Sequence, residues 1–173
     1  MSYCVVEYGG GYSTDIGEVY VENSSVKINN STIRNSASPG ISLNDGGKFV
    51  SLQDNVIMGN ATYPVSIYAS SAHTIGTGNT MDNPGIYVYG ETVASNVTWL
   101  KQMVPYILDG TTYVGSTTGN TLTIAPGTVI EFTQGSEMDI GYNSAGTLVA
   151  QGDASDSITF TSAAPAGNKS PGD

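Results

Sequence analysis

Cysteine, histidine and cationic side chains are scarce in this 173-residue chain, and each shortage excludes something. With Cys4 alone, no internal disulfide can form, and the redox state of the compartment stays open. The five cations, Lys27, Arg34, Lys48, Lys101 and Lys169, are scattered, and fifteen carboxylates leave a formal net charge of −10. Nucleic acid is therefore not an expected partner, because phosphate binding needs clustered cations. Anionic membranes and polyanionic substrates are disfavoured on the same ground, whereas a neutral glycan meets no such repulsion. No apolar run reaches the ~20 residues of a membrane-spanning helix, so no membrane partner is expected. Stretches of Ala, Leu, Glu and Lys, the strong helix formers, are also missing.

What is present suits turns and short strands. Charged residues make up 12% and hydrophobic residues 39%, too apolar a mixture for a disordered polar chain. Gly, Ser, Thr and Asn take the place of surface Lys and Glu. The composition predicts one all-β domain over residues 1–173.

The chain repeats itself. VKINNSTIRNSASPGISL from Val26 aligns with VSLQDNVIMGNATYPVSI from Val50. Val26/Val50, Ile28/Leu52, Ile33/Ile57, Ile41/Val65 and Leu43/Ile67 are all 24 residues apart. GNTMDNPGIYVYG supplies a shorter turn, and Val19 and Val21 precede Ile41 and Leu43 by 22. Cys4 and Val6 stand 22 before Val26 and Ile28, which predicts that those pairs stack. Within each period apolar and polar residues alternate over three to five positions, the signature of a strand. Asn, Gly, Ser and Asp separate the alternations, as tight turns require.

A leucine-rich repeat has a similar period but demands a leucine spacing that this chain lacks. Several short strands per period without a helix leave a parallel β-helix of about seven coils, about 4.8 Å apart. The repeat also predicts stacked turn asparagines, Asn30, Asn55, Asn79 in one ladder and Asn35, Asn60, Asn83 in another. After Ser95 the register changes, and YIL, TYV, LTI, VIEF, MDI, TLVA and ITFT read as further strands.

The phrases VTW, PYIL, TLTIAPGTVIEF, GTLVAQGD and SITFTSA resemble the opening module of secreted bacterial β-helix proteins of the pectate-lyase-like superfamily. That resemblance implies a right-handed helix and an extracellular or cell-surface location. Text similar to SYCVVEYGGGY ordinarily follows SPGD in such proteins, whereas here it stands first. We therefore expect a piece of a larger tandem-repeat secreted chain. Family members include lyases, hydrolases, adhesins and non-catalytic glycan-binding modules, so function must be argued from a site.

Motifs for catalysis are not found. The Asn-Thr-Asp, Gly-His-Gly and Arg-Ile-Lys segments of a polygalacturonase do not occur, and no cation sits beside an Asp cluster. His73 reads as a turn residue, Cys4 as a small core residue and Trp99 as packing. GDASD at Gly152–Asp156 lacks the regular ligand series of a calcium loop. No metal, cofactor or catalytic residue is assigned.

Tyrosine is the informative excess, eleven against three Phe and one Trp. If Val19, Val21, Ile41, Leu43, Val65, Ile67, Ile86 and Val88 point inward, their neighbours point outward. One outward column then reads Tyr20, Ser42, Ser66, Tyr87, and the next Glu22, Asn44, Tyr68, Tyr89. Aromatic faces beside small polar groups suit the apolar faces and polar rims of sugar rings.

The expected function is non-catalytic binding of a neutral plant polysaccharide, xylan or a β-glucan. Tyr68, Tyr87 and Tyr89 form the expected platform, with Tyr20, Glu22, Asn44 and Ser66 at its edges. The alternatives are a stalk or adhesin segment, and a hydrolase or lyase with carboxylates outside known motifs. Open strand edges on the terminal coils predict end-to-end homodimers.

Overall fold

Alternating residues in runs of three to six cannot bury both of their faces, so each run must find a neighbour on either side. The computed structural model describes residues 1–11, 13–82 and 84–170, and its regular structure is almost wholly strand. The first coils run β1 (Val5–Glu7), β2 (Val19–Glu22), β3 (Ser25–Asn29), β4 (Thr32–Arg34), β5 (Ile41–Asn44), β6 (Lys48–Gln53), β7 (Val56–Met58) and β8 (Val65–Tyr68). A 3-10 helix over Ala69–Thr74 intervenes before β9 (Thr80–Met81) and β10 (Ile86–Tyr89). The later coils are β11 (Thr92–Val93), β12 (Val97–Trp99), β13 (Tyr106–Asp109), β14 (Thr111–Val114), β15 (Thr121–Ile124), β16 (Val129–Phe132), β17 (Glu137–Ile140), β18 (Thr147–Ala150) and β19 (Thr159–Ser162).

One sheet runs the length of the molecule in the order β2-β5-β8-β10-β13-β16-β19. Its strands pair in parallel with their counterparts one turn away, as in Val19↔Ile41 and Ile41↔Val65. Seven strands in one sheet bound about six turns, close to the seven coils expected. The other walls change along the way. Early coils are closed by β3-β6 and β1-β4-β7-β9, later ones by β11-β14-β17 and β12-β15-β18. The 3-10 helix packs on β6, β11 and β12, so it marks the handover. That handover is the change of register visible after Ser95.

The core is a set of stacked columns. Ile41, Val65, Ile86, Tyr106 and Ile130 form one, and Leu43, Ile67, Val88 and Leu108 another, all buried. Each fully buried aliphatic side chain contributes roughly 1.5–3 kcal/mol of transfer free energy. Trp99 is fully buried and stacks on Tyr106 at 5.4 Å, a packing role as expected. The Tyr106 hydroxyl donates to the Leu100 carbonyl at 2.8 Å, which satisfies a polar group inside the core.

Three expectations shift by a few residues, the first being that Val26 pairs with Phe49 because a register shift turns Val50 outward. Val5 and Val6 pair with Thr32 and Ile33, so the first coil is 27 residues long and does not stack on Val26 and Ile28. The asparagine ladder is Ser31, Asn55, Asn79, not Asn30, Asn55, Asn79. Asn55 Oδ1 accepts from the Ser31 N–H at 3.0 Å. Its Nδ2 donates to the Ile28 carbonyl and to Asn79 Oδ1, each at 2.9 Å. Asn30 stands one place earlier, in a column with Asp54 and Gly78 whose backbones are left-handed, with φ of 50°, 55° and 76°. Each turn needs one residue tolerant of that conformation, followed by one that bonds across coils.

The second ladder shows the same offset, since Asn60 Oδ1 accepts from Ser36 N–H at 3.1 Å while Asn35 is left-handed. Asn83 lies outside the described residues. In the later coils Asn120 performs the bonding role, donating to the Val93 carbonyl at 3.0 Å.

The ladder makes a stability prediction. Asn55→Ala strands a buried N–H and a buried carbonyl and should cost about 2–4 kcal/mol. Asn30→Gly keeps the left-handed turn and should change stability by less than about 0.5 kcal/mol. Urea unfolding of both variants checks the pair, and similar midpoints would contradict the assignment of roles.

Candidate functional site

Strand alternation on the long sheet turns Tyr20, Glu22, Asn44, Ser66, Tyr68, Tyr87 and Tyr89 away from the core. The register places them as the repeat predicts. Tyr20 pairs with Ser42, Ser42 with Ser66, and Ser66 with Tyr87. In the adjacent column Glu22 pairs with Asn44, and Tyr68 with Tyr89. With about 4.8 Å between coils, the four rows span about 14 Å.

The tyrosines form a connected cluster. Tyr68 and Tyr89 lie 5.2 Å apart between ring centres, and Tyr87 meets Tyr89 edge-on at 4.9 Å. Tyr63, from the turn before β8, covers Tyr87 at 4.5 Å. Tyr63 precedes the strand, where alternation assigns no facing, so spacing alone does not place it. Tyr20 stands apart from the rings and joins through its hydroxyl, which accepts from Asn44 Nδ2 at 3.0 Å.

The outward serines are not exposed. Ser42 and Ser66 are 3% and 1% accessible because the segment before β2 folds across them. Gly17 N–H donates to Ser42 Oγ at 2.8 Å, Ser42 Oγ donates to the Asp15 carbonyl at 2.9 Å, and Ser66 Oγ donates to Ser42 Oγ at 3.0 Å. A Cβ on Gly17 would sit 2.8 Å from the Ser42 nitrogen, so only glycine lets this segment approach so closely. The result is a cavity of about 190 Å³ between the segment and the sheet, lined by Asp15, Ser42, Asn44, Ser66, Tyr68 and Tyr89. Ser66 thus belongs to the floor of a recess, not to an open edge, and Glu22 is exposed one coil beyond Asn44.

Charge around the cluster is negative. Burial, followed by the hydrogen-bonding partner Asp109 and its charge, pushes the Tyr87 phenol far up. Asp109 is itself held by the Thr133 hydroxyl, which donates at 2.7 Å. Burial pushes Tyr89 up to about 12, with Asp15 and Asp109 adding to it. Tyr63 and Tyr68 are raised for the same first cause. The Tyr87 O–H is spent on Asp109, and the other phenols carry O–H groups on an aromatic surface with carboxylates at its margin. A neutral, hydroxyl-rich ligand fits this field, and an anionic one does not.

His73 sits in the 3-10 helix, and partial burial lowers its pKa. Among the described residues no group of three or more His, Cys, Asp or Glu side chains converges. Asp153 spends its carboxylate on its own turn, accepting from Ser155 N–H at 2.8 Å and Asp156 N–H at 2.9 Å. Among the described residues no helix is long and apolar enough to cross a membrane.

A parallel β-solenoid with side-chain columns on its outer walls defines the class of protein. The description "Right handed beta helix region" matches residues 1–104, and the chain belongs to that right-handed β-helix family. No curated protein and no solved structure matches the chain. The matched segment carries Tyr63, Tyr68, Tyr87 and Tyr89.

Raised phenol pKa values give stability a direction with pH. The contribution of Tyr89 is complete below the ordinary phenol value near 10 and is lost as pH rises through about 12. A difference titration of phenolate absorbance between the parent and Tyr89→Phe should isolate a transition near 12. A transition near 10 would contradict the burial of that ring.

Proposed function

We propose that the chain is a non-catalytic carbohydrate-binding module for a neutral plant polysaccharide, xylan or a β-glucan, in an extracellular or cell-surface protein. The observation that carries this reading is the contiguous cluster of Tyr63, Tyr87, Tyr89 and Tyr68 beside a polar recess. Ring faces stack on sugar C–H faces, and Asn44, Asp15 and the phenols hydrogen-bond to hydroxyls. The coil spacing is of the order of one glycosyl unit, so successive rows meet successive sugars. The surrounding carboxylates favour neutral chains over uronate-rich ones.

A second reading, a stalk or adhesin segment, has one observation in its favour. The same tyrosines stack on one another, and cross-strand aromatic pairs stabilise a sheet face without any ligand. A hydrolase or lyase reading would draw its acid/base pair from the carboxylates at the margin of the tyrosine face, Asp15 and Asp109, and would release products from the polysaccharide. As a separate proposal, β2 and β19 end the long sheet, and edge pairing there joins two chains end to end. Sedimentation velocity should then show mass rising with concentration, and a monomer at all concentrations would contradict it.

Replacement of Tyr87 and Tyr89 by Ala should weaken binding to soluble xylan or β-glucan by more than tenfold while circular dichroism stays unchanged. Unchanged affinity in the folded double variant would remove the site and favour the stalk.

A further inference from the structure

A second aromatic cleft lies on a different wall of the solenoid. Tyr113 of β14 and Tyr142 of the turn after β17, one coil on, pack against each other with ring centres 5.9 Å apart and planes inclined by 37°. Tyr142 is 68% exposed and Tyr113 37%. Both rings line a cleft of about 210 Å³ together with Thr92, Gly115, Asn143 and Ser144.

The cleft is built, because the turn that carries Tyr142 is locked onto β14. Gly141 N–H donates to the Val114 carbonyl at 2.9 Å, and Ser116 N–H to the Ala145 carbonyl at 3.1 Å. A Cβ at Gly146 would lie 2.0 Å from the Val114 oxygen, so glycine at this position is what lets the turn seat there. Preformed walls of this kind lose little ordering entropy on binding.

We propose that this cleft is a second sugar-binding site, for a single neutral ring of a polysaccharide. A paired aromatic wall with hydroxyl and amide groups beside it matches the apolar face and polar edge of a sugar ring. The volume falls below the ~300–1,000 Å³ of drug-sized pockets, which favours one ring over an enclosed oligosaccharide. Asp139 pairs in register with Tyr113, and its carboxylate disfavours an acidic sugar. The site shares no residue with the Tyr63–Tyr89 cluster, so neither depends on the other. Two sites on two walls make the chain bivalent toward a long polysaccharide, and retention then exceeds the affinity of either site.

Calorimetric titration with xylohexaose and cellohexaose tests this on the full chain. The parent should bind two equivalents of one of these sugars, and Tyr142→Ala should bind one. Retention of Tyr142→Ala on insoluble xylan or β-glucan should fall more than tenfold. Because Tyr142 is mostly exposed, its loss leaves the packing in place, and circular dichroism verifies the fold. Unchanged stoichiometry and affinity in Tyr142→Ala would overturn this proposal while leaving the tyrosine cluster standing. Sugar binding lost in Tyr142→Ala but kept when Tyr87 and Tyr89 are both replaced by Ala would support this cleft and remove the cluster. A parent that binds neither hexasaccharide overturns both.

Discussion

Each inner strand of the long sheet hydrogen-bonds to the strand one turn before it and the strand one turn after, and this pairing places every residue directly above its counterpart. The chain must then satisfy one environment repeatedly at each position of the coil. Inward columns of the long sheet are filled by Ile, Leu and Val and by Tyr106, whose hydroxyl finds the Leu100 carbonyl, since an unpaired polar group there would be buried beside apolar neighbours above and below. Turn columns face two demands in succession, a left-handed backbone and a buried amide. Asn30, Asp54 and Gly78 meet the first, and Ser31, Asn55 and Asn79 the second.

The same stacking gathers the candidate site. Outward residues that lie some twenty positions apart in the chain become neighbours, which is how Tyr68 and Tyr89 come into ring contact. Two non-strand pieces then shape what the columns alone would leave flat. Tyr63 extends the aromatic surface over Tyr87, and the segment around Asp15 and Gly17 roofs the two serines to leave a recess. Burial and nearby carboxylates push the Tyr87 and Tyr89 phenols up, and the rings form an aromatic face with carboxylates at its margin. Its chemistry suits recognition of hydroxyl-rich, uncharged rings.

Much of this is legible in the sequence because the period is carried by side-chain type. The spacing of Val19, Ile41, Val65 and Ile86 is enough to derive the register and both outward columns of β2, β5, β8 and β10. Turns resist the same treatment. Asn30 and Ser31 both suit a tight bend, and composition cannot say which of two adjacent polar residues faces inward. The length of the first coil hides behind the glycines of residues 9–11, which absorb extra residues without an apolar marker. Tyr63, Tyr113 and Tyr142 are brought to their partners by turns or by the later, less regular coils, where no shared period aligns them. The covering of Ser42 and Ser66 is a tertiary contact from a segment with no repeat of its own.

The proposed role is glycan binding without catalysis, and one measurement reads both halves at once. The purified chain is incubated with insoluble xylan and β-glucan, and bound protein and released sugar are measured in the same tubes. The proposed binding role of the tyrosine cluster predicts retention on at least one of these with no reducing or unsaturated ends released. No retention on any, or products accumulating with time, would contradict it.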